Sequence, residues 1–207
     1  MGVFNFKNKS KEPTQAKADY FQSVEFQKHR NDICNILEEI PVAEAPKGWT
    51  YKGKIAIGGF EYLGFAETSS ILFIASSQGR GLVDMASGEK IARDGSVDFE
   101  IDETFLTCDG FDVLQGEKIK LASKYDGSML PTGNHRLGHL VRVSPLYPCE
   151  DIIFQPPYES CFRKENNKNC VRIYRGFLDC YGFSFCGDYF VIAGAGGIYC
   201  WKSERKK

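Results

Sequence analysis

The stretches GFAETSSILFIAS, residues 64–76, and GFSFCGDYFVIAG, residues 182–194, decide how this chain is expected to fold. Aligned without gaps, they share Gly64/Gly182, Phe65/Phe183, Ile74/Ile192 and Ala75/Ala193. Each runs into a glycine turn, QGRG at 78–81 or AGG at 195–197, and then into an alternating segment, LVDM or IYCW. A strand, a tight turn and an antiparallel return strand follow from that pattern.

Ile74 and Ile192 lie 118 residues apart, close to three steps of 39 or 40. The same step from Ile74 lands on Val113, and the next on Ile153 inside CEDIIFQPP. The spacing predicts about four units, each of roughly forty residues, across a single β domain from 49 to 207. Between these centres the chain carries short β-branched or aromatic segments, such as TYKGKIAIGG, SVDFEIDET, GHLVRVS and NCVRIYRG, usually bounded by Gly, Pro, Asp or Asn. A βαβ architecture is disfavoured because no second helical period is visible.

Before the β region, residues 1–18 read as a loose polar leader and residues 19–41 as a helix. Asp19 opens it, with Gln22 at capping-box spacing, and Phe26, Ile33, Leu37 and Ile40 fall on one face before Pro41. VAEAPKGW, residues 42–49, reads as a linker.

FSFCGDYFVIAGAGGIYCWKSE, residues 183–204, resembles a β-propeller blade of the WD-repeat type, with Gly187-Asp188 at the polar turn and Trp201 as the terminal aromatic. The segment from Phe65 to Ile91 is similar, with Ser87-Gly88 near the last turn. The blade-like regions are thus 64–89 and 182–203. The Gly-His and Trp-Asp dipeptides of that repeat are absent from both segments, so no specific family is identified. The resemblance implies four blades, with residues 50–65 supplying strands that close against the last one. The expected class is therefore mostly β, a small propeller-like or repeated antiparallel β-meander preceded by one N-terminal α-helix. An open β-sandwich or half-barrel with the helix across one face is the competing arrangement.

The formal net charge of -1 disfavours a generic nucleic-acid binder. No run reaches the ~18 apolar residues of a membrane span, and the first residues lack the order of an export signal. Gly2 lacks the Ser or Thr that N-myristoylation needs at position 6, where Phe6 stands. Eight cysteines without a CxxC pair read as free thiols of an intracellular, cytoplasmic protein.

His135 and His139, followed by Cys149 and Cys161, form the sole candidate zinc set. Their spacing departs from zinc fingers, and on a strand the two histidines would stand ~13 Å apart. The alternative is two surface histidines and two buried thiols. No GxSxG elbow occurs. The glycine turns at 78–81 and 194–197 read as hairpin turns, since no helix follows to bind phosphate. Arg80 would contact a ligand if its turn lines a site.

Residues 94–112 carry seven acidic groups and no Lys or Arg, with Asp98, Glu100 and Asp102 on one face of an expected strand. They read either as a docking surface for a basic partner or as a solvated, edge-protecting face. A basic cluster, Arg163, Lys164, Lys168, Arg172 and Arg175, has Tyr158, Phe162 and Tyr174 nearby. The expected function is a non-enzymatic scaffold that recognises another protein, or a ligand, through its loops and charged faces. The residues expected to bind are Arg80, Asp98, Glu100, Asp102, Arg163, Lys164 and Arg172. A metal-dependent enzyme using His135 and His139 with nearby cysteines or carboxylates is the alternative, and an oligomer-forming subunit a third.

Overall fold

A computed structural model describes residues 22–125, 127–134 and 136–205. The chain is mostly β, with three antiparallel sheets and one α-helix near the N-terminus. The leader 1–18, Asp19 and His135 lie outside the described residues. The helix, α1, spans Val24–Glu38, and the Ser23 hydroxyl caps it by accepting the Phe26 N–H at 3.2 Å. No described helix is long and apolar enough to cross a membrane.

The first meander holds β1 (Trp49–Ile55), β2 (Phe60–Phe65), β3 (Ile71–Ser76), β4 (Gly79–Asp84) and β5 (Glu89–Asp94). Short strands β6 (Ile101–Asp102) and β7 (Thr107–Asp109) lead to β8 (Lys118–Ser123). Then come β9 (Gly133–Asn134), β10 (Gly138–Leu146), β11 (Cys149–Gln155) and β12 (Val171–Gly176). The chain ends on β13 (Leu178–Phe183), β14 (Tyr189–Gly194) and β15 (Gly197–Ser203).

The two matched stretches fold alike. β2, β3 and β4 recur as β13, β14 and β15 at a 118-residue offset, to within one residue at the last end. Their registers coincide as well: Phe65 faces Leu72 as Phe183 faces Phe190, and both pairs carry an irregularity at the start of the first strand. Ile153 lies within β11, one residue past its midpoint. Val113 does not stand at a strand centre. It lies 63% exposed in a 3-10 turn at Asp112–Leu114, in the connection between β7 and β8.

Strand β1 pairs along β15, so the start of the β region completes the C-terminal sheet in the order β1-β15-β14-β13. A helix-side sheet runs β12-β11-β10-β9. The N-terminal sheet has seven strands, β5-β4-β3-β2-β8-β7-β6. Because β8 takes the free edge of β2, strands β2–β5 and β6–β8 form one sheet, and no barrel or propeller ring closes among the described strands.

The apolar pattern explains how the sheets stack. On β14, Tyr189, Val191 and Ala193 pack toward the N-terminal sheet, while Phe190 and Ile192 pack toward the helix-side sheet. A strand buried on both faces must be apolar throughout, and all six of its residues are buried. β3 and β11 behave likewise. Leu72 and Ile74 face the C-terminal sheet, with Phe73 and Ala75 behind them, and Ile152 and Phe154 oppose Ile153. The C-terminal sheet is therefore the centre of the stack. α1 covers the outer face of the helix-side sheet with Ile33 and Leu37, and Ile40 follows just past its end.

The paired glycines have a steric cause. A Cβ at Gly64 would collide with the main chain of Lys120 on β8, and one at Gly182 with Leu130. Gly64→Ala is expected to destabilise the protein by about 1–3 kcal/mol through overpacking, read as a lower denaturation midpoint. An unchanged midpoint would show that β2 and β8 do not approach this closely.

Candidate interaction cleft

Where the rims of the central and helix-side sheets meet, the starts of β1 and β12 and the ends of β11 and β15 leave a cleft of about 840 Å³. Its size lies within the roughly 300–1,000 Å³ of ordinary ligand sites. Trp49 and Phe154, 6% and 3% exposed, form an apolar floor, with Leu137, Pro46, Pro156 and Pro157 beside them. Trp49 packs against Phe154, Phe183 and Phe190 at ring-centroid distances of 6.0, 5.8 and 4.7 Å, so the floor continues the aromatic core.

Four cations rim this floor: Lys47, Arg136, Lys168 and Arg205. Arg205 donates to the Arg136 carbonyl at 2.7 Å, which ties the end of the chain to the wall. Among the described residues, Lys47 and Lys168 make no ion pair. The two carboxylates of the wall have neutral partners: Glu159 accepts from the Asn169 amide at 2.7 Å, and Glu204 from the Thr50 hydroxyl at 2.9 Å. The rim is thus net cationic around an apolar floor.

One lip is rigid. Glu159 N–H donates to the Pro156 carbonyl at 3.2 Å, closing a turn with Pro157 and Tyr158 at its centre. Tyr158 occupies the left-handed region there, at φ 67°, and is 98% exposed. A bulky residue at that φ is strained, and its ring buries nothing in the fold.

The residues singled out by sequence are dispersed. Asp98 and Glu100 are exposed, and Phe99 and Ile101 pack inward, as alternation predicts, but only Ile101–Asp102 is strand. Asp102 accepts from the N–H groups of Thr104 and Phe105, so its carboxylate fixes a turn. Arg80 borders a second cavity, and its guanidinium pairs with Asp94 at 2.9 Å and lies 4.5 Å from the Phe111 ring centre. Arg163 is exposed. Lys164 pairs with Glu39 of the α1 terminus at 2.8 Å.

Arg172 departs most from expectation. Its side chain is only 6% exposed, so it belongs to the interior and not to a loop surface. One guanidinium nitrogen donates to the Leu37 carbonyl at 2.8 Å, which also accepts the Ile40 N–H at 3.2 Å at the helix end. Its Nε lies 3.1 Å from Asp151, close enough for an ion pair but out of line for a hydrogen bond. Arg175 holds the same Asp151 carboxylate with two hydrogen bonds, at 2.6 and 2.8 Å, and also Glu38 at 2.6 Å. The hydrogen bond from Arg175 is the main reason that the Glu38 carboxyl is held below its usual value.

His139 is exposed on β10, opposite Gln155. Cys149 sits six residues farther along β11, roughly 20 Å away at strand rise, and Cys161 is fully buried. Among the described residues, no three His, Cys, Asp or Glu side chains come together to hold a metal.

All eight cysteines are free thiols. Burial pushes Cys108, Cys170 and Cys200 up to about 12 and Cys161 up to about 11, and raises Cys180 as well. Thiols so placed are poor nucleophiles at neutral pH. A disulfide reagent should label exposed Cys186 first and half-buried Cys34 and Cys149 more slowly, leaving the other five until denaturation. Rapid labelling of all eight would contradict this packing.

Lys168 and Tyr158 were visible in the sequence as parts of a basic, aromatic loop. Lys47, Trp49, Arg136, Phe154 and Arg205 carry no local signal, because the fold gathers them from distant positions. The prolines at 156–157 were the one local sign of a rigid lip. No protein-family model matches the chain, and no curated protein matches it.

Proposed function

We propose that the protein is a non-enzymatic binding scaffold of blade-like β units, acting inside the cell, and that its cleft receives an acidic, apolar-containing segment of another protein. The observation that carries this reading is the cationic rim around the Trp49–Phe154 floor, with Lys47 and Lys168 unpaired among the described residues. An apolar floor supplies binding energy, and the rim charges select the partner and steer its approach. The net charge of -1 disfavours a nucleic-acid partner. Eight free thiols, five of them buried, support a reducing compartment.

The test is selection of a random twelve-residue peptide library on the whole protein, followed by titration of a labelled winner. Enriched peptides should combine Asp or Glu with aromatic or aliphatic residues. Affinity should fall about tenfold or more in Lys47→Glu/Lys168→Glu, from loss of charge-assisted contacts. Enrichment of neutral or basic peptides, or equal affinity for the variant, would overturn the reading.

A further inference from the structure

We propose that a separate cavity of about 200 Å³ beside edge strand β5 binds a small carboxylate with an apolar body. It does not rest on the cleft, which lies among other elements. Its floor is set by strand register. Gly81 on β4 pairs with Ile74 on β3 and with Arg93 on β5, while Val83 pairs with Lys90. Directly paired residues share a face, so Arg93 and Lys90 reach across the face that carries Ile74 and Val83. The β1–β2 connection closes the far side, and Ile55 and Ile57 pack onto the same core.

The missing side chain at Gly81 creates the depression. A Cβ there would meet only the Ala92 carbonyl, at 3.4 Å, so the space above it is open. The charge is one-sided. Neither Lys90 nor Arg93 makes an ion pair among the described residues, and no carboxylate lines the cavity. Arg80 is not a third free cation, because Asp94 neutralises it. Two cations above an aliphatic floor match a carboxylate joined to a hydrocarbon group. At ~30 Å³ per water, the volume holds about six or seven waters, the scale of a short-chain or single-ring acid.

Calorimetric titration of the whole protein with hexanoate and with benzoate tests this, with benzylamine and inorganic phosphate as comparison probes. At least one acid should bind saturably at one per chain, the amine should not bind, and phosphate should bind more weakly than the acid. Arg93→Gln and Lys90→Gln, both at exposed positions, should each weaken the acid roughly tenfold. Gly81→Val should abolish binding by filling the floor, with its unfolding midpoint measured alongside. The cleft variant Lys47→Glu/Lys168→Glu should bind the acid unchanged, which separates this site from the proposed function. Absence of saturable binding by both acids, equal binding of amine or phosphate, or undiminished binding in Arg93→Gln and Lys90→Gln would overturn the proposal.

Discussion

Asp151→Ala is expected to lower the free energy of unfolding by about 3–5 kcal/mol, because it leaves a buried charge without its partner. Asp151 is 1% exposed and serves two arginines at once, Arg175 through two hydrogen bonds and Arg172 through an ion pair. Without it, Arg172 keeps its hydrogen bond to the Leu37 carbonyl but remains in the interior with little compensation. Glu38 contacts Arg172 only at 3.6 Å and is itself 45% exposed, so it is a poor substitute. Denaturant titration reads the effect directly. The paired replacement Asp151→Val/Arg172→Met should recover much of the loss, since a buried ion pair exchanged for apolar groups is often near neutral. A full recovery is not expected, because the Leu37 carbonyl would lose one of its donors while keeping the Ile40 N–H. A loss below 1 kcal/mol in Asp151→Ala would mean that the helix end and the sheet do not share this carboxylate.

Trp201→Ala is expected to cost about 3–5 kcal/mol, the range for removing a large buried aromatic. Trp201 is 2% exposed and stacks on Phe190 with centroids 4.7 Å apart and planes 15° from parallel. Its ring also packs against Tyr51 on β1, and its indole N–H donates to the Glu44 carbonyl at 2.8 Å. The residue therefore holds three things together: the β14–β15 pair, the added strand β1, and the linker between helix and sheet. Trp201→Phe should retain most of the stacking and lose the linker tie, placing its stability between wild type and alanine. If alanine and phenylalanine cost the same, the indole hydrogen bond, not the packing, would be the main contribution.

Much of this architecture was written locally. Ile74, Ile153 and Ile192 mark middle strands because a strand covered on both faces has to be continuously apolar, and that signal survives without any knowledge of the partner sheets. The blade resemblance implied that residues 50–65 close against the last unit, and of these only β1 joins the C-terminal sheet, whereas β2 pairs with β3 and β8. The failures have equally physical causes. Val113 was misplaced because a constant step of about forty residues assumes evenly spaced strands, and the step lands on the 3-10 turn between β7 and β8. The pairing of β8 with β2 rests on the close approach at Gly64, which reads in sequence only as one more turn-prone glycine.

The site was less legible than the fold. Arg172 looks in sequence like one of five clustered cations on a loop and its outgoing strand, and nothing local says that Asp151 and the Leu37 carbonyl wait for it inside. The cleft is the reverse case. Its cations at 47, 136, 168 and 205 form no motif, and they meet only because β1, β11, β12 and β15 end at one rim of the stack. Arg80 was named for a turn that does line a cavity, but the charges free to act there stand on the next strand, at Lys90 and Arg93.

Hydrogen–deuterium exchange of the whole protein, with and without a library-selected acidic peptide, tests the proposed role of the cleft most directly. The account predicts slowed exchange confined to the cleft segments 47–49, 136–137, 158–159 and 168–171, with no change in the acidic stretch 94–112. Protection centred on 94–112, or on the outer face of α1, would contradict it.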